Sequence, residues 1–278
     1  MTIDQIIEAA LQEDIGTGDH TSLSAIPKTA LGKSRLIIKE DGILCGVDIA
    51  IKVFEKVDPT LVVTKYLSDG IAVKYGDIAF IVEGSSISIL TAERLVLNFM
   101  QRMSGIATVT QTYVKRLEGT NTKLLDTRKT TPLMRVFEKY AVKTGGGENH
   151  RFGLFDMIMI KDNHIDFAGG IAQAIAAVKT YLIENRLDLK IEIEARSLSD
   201  VKEILRIGGV DRIMLDNFNP ELMKEAIKII GGSLETEASG GITIENLREY
   251  ALTGVDYISV GALTHHIKSL DMSLKAIS

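Results

Sequence analysis

Residues 190–241 read KIEIEARSLSDVKEILRIGGVDRIMLDNFNPELMKEAIKIIGGSLETEASGG, and this stretch decides the fold. Three short β-type runs, Lys190–Glu194, Arg212–Leu215 and Leu234–Ala238, alternate with segments whose apolar residues recur every three or four positions, Asp200–Ile207 and Glu221–Ile230. Strands separated by helices at this spacing make βαβ units and a parallel sheet. Working outward, the alternation continues in both directions. Upstream lie strand candidates Lys123–Asp126 and Met157–Lys161, with helices over Leu133–Lys143 and Ile171–Asn185; downstream lie a helix over Ile244–Leu252 and a strand over Tyr257–Val260. Right-handed crossovers leave an open doubly wound sheet or a closed barrel. The strand ends choose between them. They carry Asp126-Thr-Arg-Lys129, Lys161-Asp-Asn-His164, Glu194-Ala-Arg196, Asp216-Asn217, Ser239-Gly-Gly241 and Gly261-Ala-Leu263. Polar and glycine-rich caps after every strand are what the active face of a β/α barrel requires, so the spacing predicts a short or irregular barrel.

Residues 1–90 have a different rhythm. The β-type runs SRLIIKE, TLVVTKY and DIAFIVEG are separated by turns at Asp41-Gly42, Asp69-Gly70 and Tyr75-Gly76-Asp77, with a helical piece, GVDIAIKVFEKV, between the first two runs. The opening MTIDQIIEAALQED is an acidic amphipathic helix, without the basic flank and apolar core of a signal peptide. A long helix over Thr91–Leu117 follows, interrupted by Gly105, where a kink or close packing is expected. It is the natural linker between a small α+β unit and the barrel.

The chain has 278 residues, 45% apolar and 25% charged, as an ordinary globular protein does. Its one cysteine, Cys45, excludes a disulfide framework and a cysteine-based zinc site. No stretch reaches the roughly 18 apolar residues of a membrane span, and the expectation is a cytoplasmic protein. A net charge of −5 argues against nucleic-acid binding. The charge is uneven, however. Between Lys123 and His164 eight Lys/Arg face five Asp/Glu, a net of +3, leaving −8 for the remainder. A basic island in an acidic chain reads as a pocket for a small polyanion, or as a solvated helix face.

Three clusters could do chemistry. Ser239, Gly240, Gly241 and Gly261 follow the last two strands, where barrels often cradle phosphate on backbone N–H groups; the plainer reading is tight βα turns. Arg128, Lys129, His150, Arg151 and Lys161 would suit a ligand with several negative charges, or form surface ion pairs. Glu194 and Asp216 end neighbouring strands and could hold Mg²⁺ with a diphosphate, hold ribose hydroxyls, stabilise a developing positive charge, or bond the basic set. There is no P-loop and no GxGxxG. Gly145-Gly146-Gly147 reads as a helix stop, His265-His266 lacks a third ligand at metal spacing, and His20 reads as a loop residue.

The run DTRKTTPLMRVFEKYAVKTGGGENHR (126–151) followed by IKDNH (160–164) resembles quinolinate phosphoribosyltransferase, the decarboxylating nicotinate-nucleotide pyrophosphorylase. EDIGTGDHTS (13–22), ERLVLNFMQRMSGIAT (93–108), EIEARS (192–197), LDNF (215–218), EASGGI (237–242) and GVDYISVGALTH (254–265) extend the likeness along nearly the whole chain. The resemblance implies an N-terminal α/β sandwich over residues 1–104, including the linker helix, and an irregular, seven-stranded α/β barrel over 105–278. It implies transfer of a phosphoribosyl group from phosphoribosyl pyrophosphate (PRPP) to quinolinate with decarboxylation, with Mg²⁺, in a homodimer or higher oligomer whose active sites are shared between subunits. Carried over, Arg128, His150, Arg151 and Lys161 would bind the quinolinate carboxylates, with Thr127 beside them and Arg94 reaching in from the neighbouring subunit. Lys129 would lie near the diphosphate, Glu194 and Asp216 would hold ribose or Mg²⁺, and Ser239–Gly241 with Gly261, Ala262 and Leu263 would take the 5′-phosphate. EAS stands where many members have ESS, and IEIEARS varies among them; neither departure removes an assigned residue. The rivals are a paralogue acting on another acid and a non-catalytic sensor of a phosphate ligand.

Overall fold

The structure, a computed structural model, describes residues 1–277. Two compact units divide it: Met1–Gln111 with Thr130–Gly146 and Leu263 onward, and Thr112–Lys129 with Gly147–Ala262. The sequence reading divides the chain once, after residue 104; the units are discontinuous.

In the first unit, α1 (Ile3–Ile15) and α2 (His20–Ala25) precede β1 (Leu31–Ile38), β2 (Gly42–Ile43), α3 (Val47–Val57), β3 (Val62–Lys65), β4 (Ala72–Val73) and β5 (Ile78–Ser85). Thr2 and Gln5 close a capping box at the start of α1, each satisfying the other's backbone N–H. His20 is not in a loop: Asp19 accepts from Ser22 N and starts α2 there. One antiparallel sheet runs in the order β12-β1-β5-β3, where β12 (Met272–Ile277) is the last strand of the chain. It pairs along β1 from Lys33↔Ile277 to Ile38↔Met272. Phe54 of α3 meets Phe80 of β5 edge to face, at 5.8 Å between ring centroids, and both are fully buried. The long helix α4 (Ser86–Arg116) begins earlier than the periodicity predicts and passes Gly105 without a break. A Cβ at Gly105 would collide with the Lys268 carbonyl oxygen, so this glycine serves close packing.

The second unit contains β6 (Lys123–Leu125), β7 (Ile158–Ile160), α6 (Asp162–Ala168), α7 (Ile171–Asn185), β8 (Ile191–Ala195), α8 (Leu198–Ile207), β9 (Arg212–Asp216), α9 (Pro220–Ile230), β10 (Glu235–Ser239), α10 (Leu247–Ala251) and β11 (Tyr257–Ser259); α5 (Arg135–Thr144) and α11 (Ala262–His265) complete the chain order. Among the described residues its parallel sheet has six strands in the order β6-β11-β10-β9-β8-β7. The first strand lies beside the last, as a barrel demands, and the seam falls between β6 and β7. There Glu148 forms an isolated parallel bridge to Leu125, with Asp126 N donating to Glu148 O at 3.1 Å and Glu148 N to Leu124 O at 2.8 Å. One irregular segment thus lies along the free edge of β6. The helix expected over 244–252 is shorter, because Asn246 accepts from Thr243 N at 2.8 Å and holds the preceding residues in a turn.

β8 places the site. All five residues of IEIEA are buried. With side chains alternating between faces, Glu192 and Glu194 share one face while Ile191, Ile193 and Ala195 take the other.

Candidate active site

A cavity of about 340 Å³ is lined by Thr127, Arg128, Lys129, His150, Arg151, Lys161 and Ser239, joined by Met159, Met214, Glu237 and Ser259. Seven residues singled out in the sequence therefore meet in one place. Thr127 folds the turn after β6: its hydroxyl accepts from Lys129 N at 3.0 Å. Lys161 follows β7, and its own N–H donates to His164 Nδ1 at 2.9 Å.

The cationic wall is electrostatically strained. Burial, and then the neighbouring Arg128 guanidinium, pull Arg151 below the ordinary arginine range. Its Nη1 donates to the Met157 carbonyl at 3.1 Å, which fixes the fork. Two guanidinium groups held within each other's field, with two lysines on the same cavity, are arranged for a ligand of opposite charge.

Glu194, Asp216, Gly240, Gly241, Gly261, Ala262, Leu263 and Arg94 are not on the cavity wall. Glu194 is buried; it accepts from Asp162 N at 2.9 Å and lies 3.9 Å from Lys161 Nζ. Burial, and then the negative charge of Glu194, hold the Asp216 carboxyl above its usual range, with Lys161 opposing. Lys161 thus links the cavity to the two carboxylates. Asn217, at φ 56°, donates through its side chain to Asp216 at 2.6 Å and through its backbone to Ser239 O at 2.9 Å. Gly240, at φ +92°, lies so close to Asn217 that a Cβ would strike its side-chain oxygen. Leu263 is wholly buried. Arg94 is exposed on α4 in the first unit.

His150 sits beneath the cationic wall in a buried cluster that sequence reasoning missed. Its Nε2 lies 3.0 Å from the Glu192 carboxylate and 3.2 Å from that of Glu237, and all three side chains are at least 95% buried. Its backbone N–H donates to Asp126 at 2.8 Å. Burial pulls the imidazole towards neutrality, but the two carboxylates outweigh it and push the ring up to about 9. The Arg151 amide, 2.6 Å from Nδ1, favours the neutral ring, and this one contact is outweighed by the two ion pairs at Nε2. Arg212 of β9 completes the cluster. Its Nη1 donates to Glu237 at 3.0 Å, its Nε and Nη2 to Glu235 at 3.2 and 3.1 Å, and the guanidinium lies 4.0 Å from the Tyr257 ring centroid. The signal was present: Glu192 and Glu237 stand two residues before Glu194 and Ser239, on the same strand faces.

Residues 19–104 match the family model "Quinolinate phosphoribosyl transferase, N-terminal domain", and residues 106–275 match that of its C-terminal domain. The chain belongs to the quinolinate phosphoribosyltransferase family. Among quinolinate phosphoribosyltransferase relatives, a decarboxylating enzyme of Nicotiana tabacum, named as mitochondrial, is 44% identical, covering 97% of this chain and 81% of its own. A probable carboxylating nicotinate-nucleotide pyrophosphorylase of Bacillus subtilis is 42% identical, covering 94% and 89%. The crystal structure of NadC from Streptococcus pyogenes superposes with a TM-score of 0.94 at 40% identity, covering 99% of this chain and 97% of that one.

Proposed function

We propose the following roles at this cavity, for the reaction that the family carries out. The chain is a decarboxylating pentosyltransferase: it transfers the phosphoribosyl group of PRPP to quinolinate with loss of CO₂, giving nicotinate mononucleotide and pyrophosphate in de novo NAD biosynthesis. The observation that carries the assignment is the Arg128–Arg151 pair, facing one cavity with Lys129 and Lys161. Two forks and two point charges suit a dicarboxylate beside a diphosphate. Arg128, Arg151 and Lys161 take the two quinolinate carboxylates, with His150 behind them. Thr127 fixes the turn from which Lys129 meets the leaving diphosphate. Ser239, Gly240 and Gly241, with the backbone of Gly261, Ala262 and Leu263, receive the 5′-phosphate.

Departure of pyrophosphate from ribose C1 builds oxocarbenium character, which a carboxylate stabilises. The pyridine nitrogen forms the new bond to C1. The ring then carries a positive nitrogen, which stabilises the carbanion left at C2 as the adjacent carboxylate leaves as CO₂, and a proton from water takes the place of the lost carboxylate. This scheme asks the chain to position and neutralise two polyanions and needs no covalent nucleophile. Glu194 and Asp216 are hard oxygen donors whose mutual repulsion a cation would relieve, and they fit Mg²⁺ as well as ribose hydroxyls. When bound, Mg²⁺ supplies neutralisation of diphosphate charge.

A homodimer with shared sites belongs to the same proposal, with Arg94 contributed across the interface. Leu154, Phe155 and Phe167 support it: all are exposed and apolar, on the segment between Arg151 and β7 or on α6. A cytoplasmic location is proposed with it, on the strength of a lone, buried Cys45. Among the described residues no helix is long and apolar enough to cross a membrane.

Purified protein incubated with PRPP, Mg²⁺ and quinolinate, with nicotinate in parallel, tests the reading. Nicotinate mononucleotide and CO₂ should form in equal amounts from quinolinate alone. Silence with quinolinate and turnover of another aromatic acid would overturn it in favour of a paralogue; PRPP binding without turnover of any acid would favour a sensor.

A further inference from the structure

We propose that Glu192 and Glu237 are positioning residues for the acid substrate: from beneath the cavity they hold the His150 imidazole by Nε2 and so set the floor against which the substrate lies. The proposal rests on the reading of this cavity as the acid pocket.

The placement is physically expensive. Two carboxylates buried beside each other, under a pocket that must attract an anion, oppose both folding and binding unless something screens them. Glu237 reaches the cavity wall itself. The His150 ring is what lies against both carboxylates, at 3.0 and 3.2 Å. A hydrophobic trio of the same volume would pack as well, so packing alone does not explain the set. Arg212 engages the same Glu237 oxygen, Oε2, at 3.0 Å, so the imidazole and the guanidinium share it, and His150 stands as the cation paired with both carboxylates.

The support comes from separate parts of the barrel. Glu192 stands on β8, Glu237 on β10, and His150 on the segment beside β6, whose backbone is tied to Asp126. Three points of the wall thus converge on one nitrogen. The next residue is Arg151, so a displaced ring also displaces the fork that is to grip a carboxylate.

The test is steady-state kinetics on Glu192→Gln and Glu237→Gln, each alone and in a His150→Gln background, with Arg128→Ala as control. Each single change should raise KM for quinolinate roughly tenfold while KM for PRPP stays within about twofold. In the His150→Gln background the same changes should add less than about twofold, because their path to the substrate has been removed. An unchanged quinolinate KM, a matching rise in both KM values, or multiplicative effects in the double variants would overturn the proposal. Arg128→Ala separates the two readings: if it leaves quinolinate KM unmoved, the acid-pocket reading fails first. Should either Gln variant melt without cooperativity, the wild-type imidazole ¹H–¹⁵N spectrum decides. A low-field, slowly exchanging Nε2 proton is expected, and a freely exchanging one would overturn the proposal.

Discussion

His150 shows how far a single side chain depends on its neighbours. Its pKa in the folded protein, about 9, stands above the unfolded value of 6.5, so its contribution to stability is complete below pH 6.5 and is lost as pH rises through 9. The shift corresponds to at most about 3 kcal/mol. Urea denaturation at pH 6.5 and pH 9.5 should show a loss of that order in the wild type and a much smaller one in His150→Gln. Gly240 makes a second case. Its positive φ and the nearby Asn217 leave no room for a methyl group, so Gly240→Ala should raise KM for PRPP at least about tenfold with little change for quinolinate. Equal effects on both substrates would place the 5′-phosphate elsewhere. Arg128, Lys129 and Lys161 were legible because each follows a strand, where side chains reach the barrel mouth. Glu192 and Glu237 were not, since an acid inside a strand reads as solvent-facing until the strand is known to be covered on both sides.

Among the elements, the βαβ series was legible because each helix keeps one apolar stripe and each strand one short apolar run. The seam was not. Strands β6 and β7 have three residues each, and the segment at Glu148 pairs through a single bridge, too little for a periodic pattern. Strand β12 also went unassigned, although Met272 and Leu274 are buried at alternate positions; six residues with no second turn signal gave nothing to bound it. In α4 the sequence left a choice between kink and close packing at Gly105, and the packed carbonyl of Lys268 decides it. Gly105→Ala should therefore destabilise the protein by about 2 kcal/mol, as overpacking does, against a gain if the position were merely a helix interior. Chemical denaturation distinguishes the two signs.

For the whole molecule, the proposed sharing of sites has a direct test. Arg94 is exposed on α4 and Lys129 lines the cavity, so Arg94→Ala and Lys129→Ala should each be inactive alone. Mixed under conditions that exchange subunits, they should recover about a quarter of wild-type activity, because random pairing makes half the dimers mixed and each of those carries one intact site. No recovery despite exchange shown by mass spectrometry would remove Arg94 from a neighbour's site.

The pairing of β12 with β1 sets an order of events at the ribosome. Residues 39–271 emerge between the two strands, so one edge of β1 stays without its partner while the second unit can already close. A strand made well before its partner is thus among the last to be finished, and through that interval its open edge is a place where a chaperone, or another nascent chain, can bind.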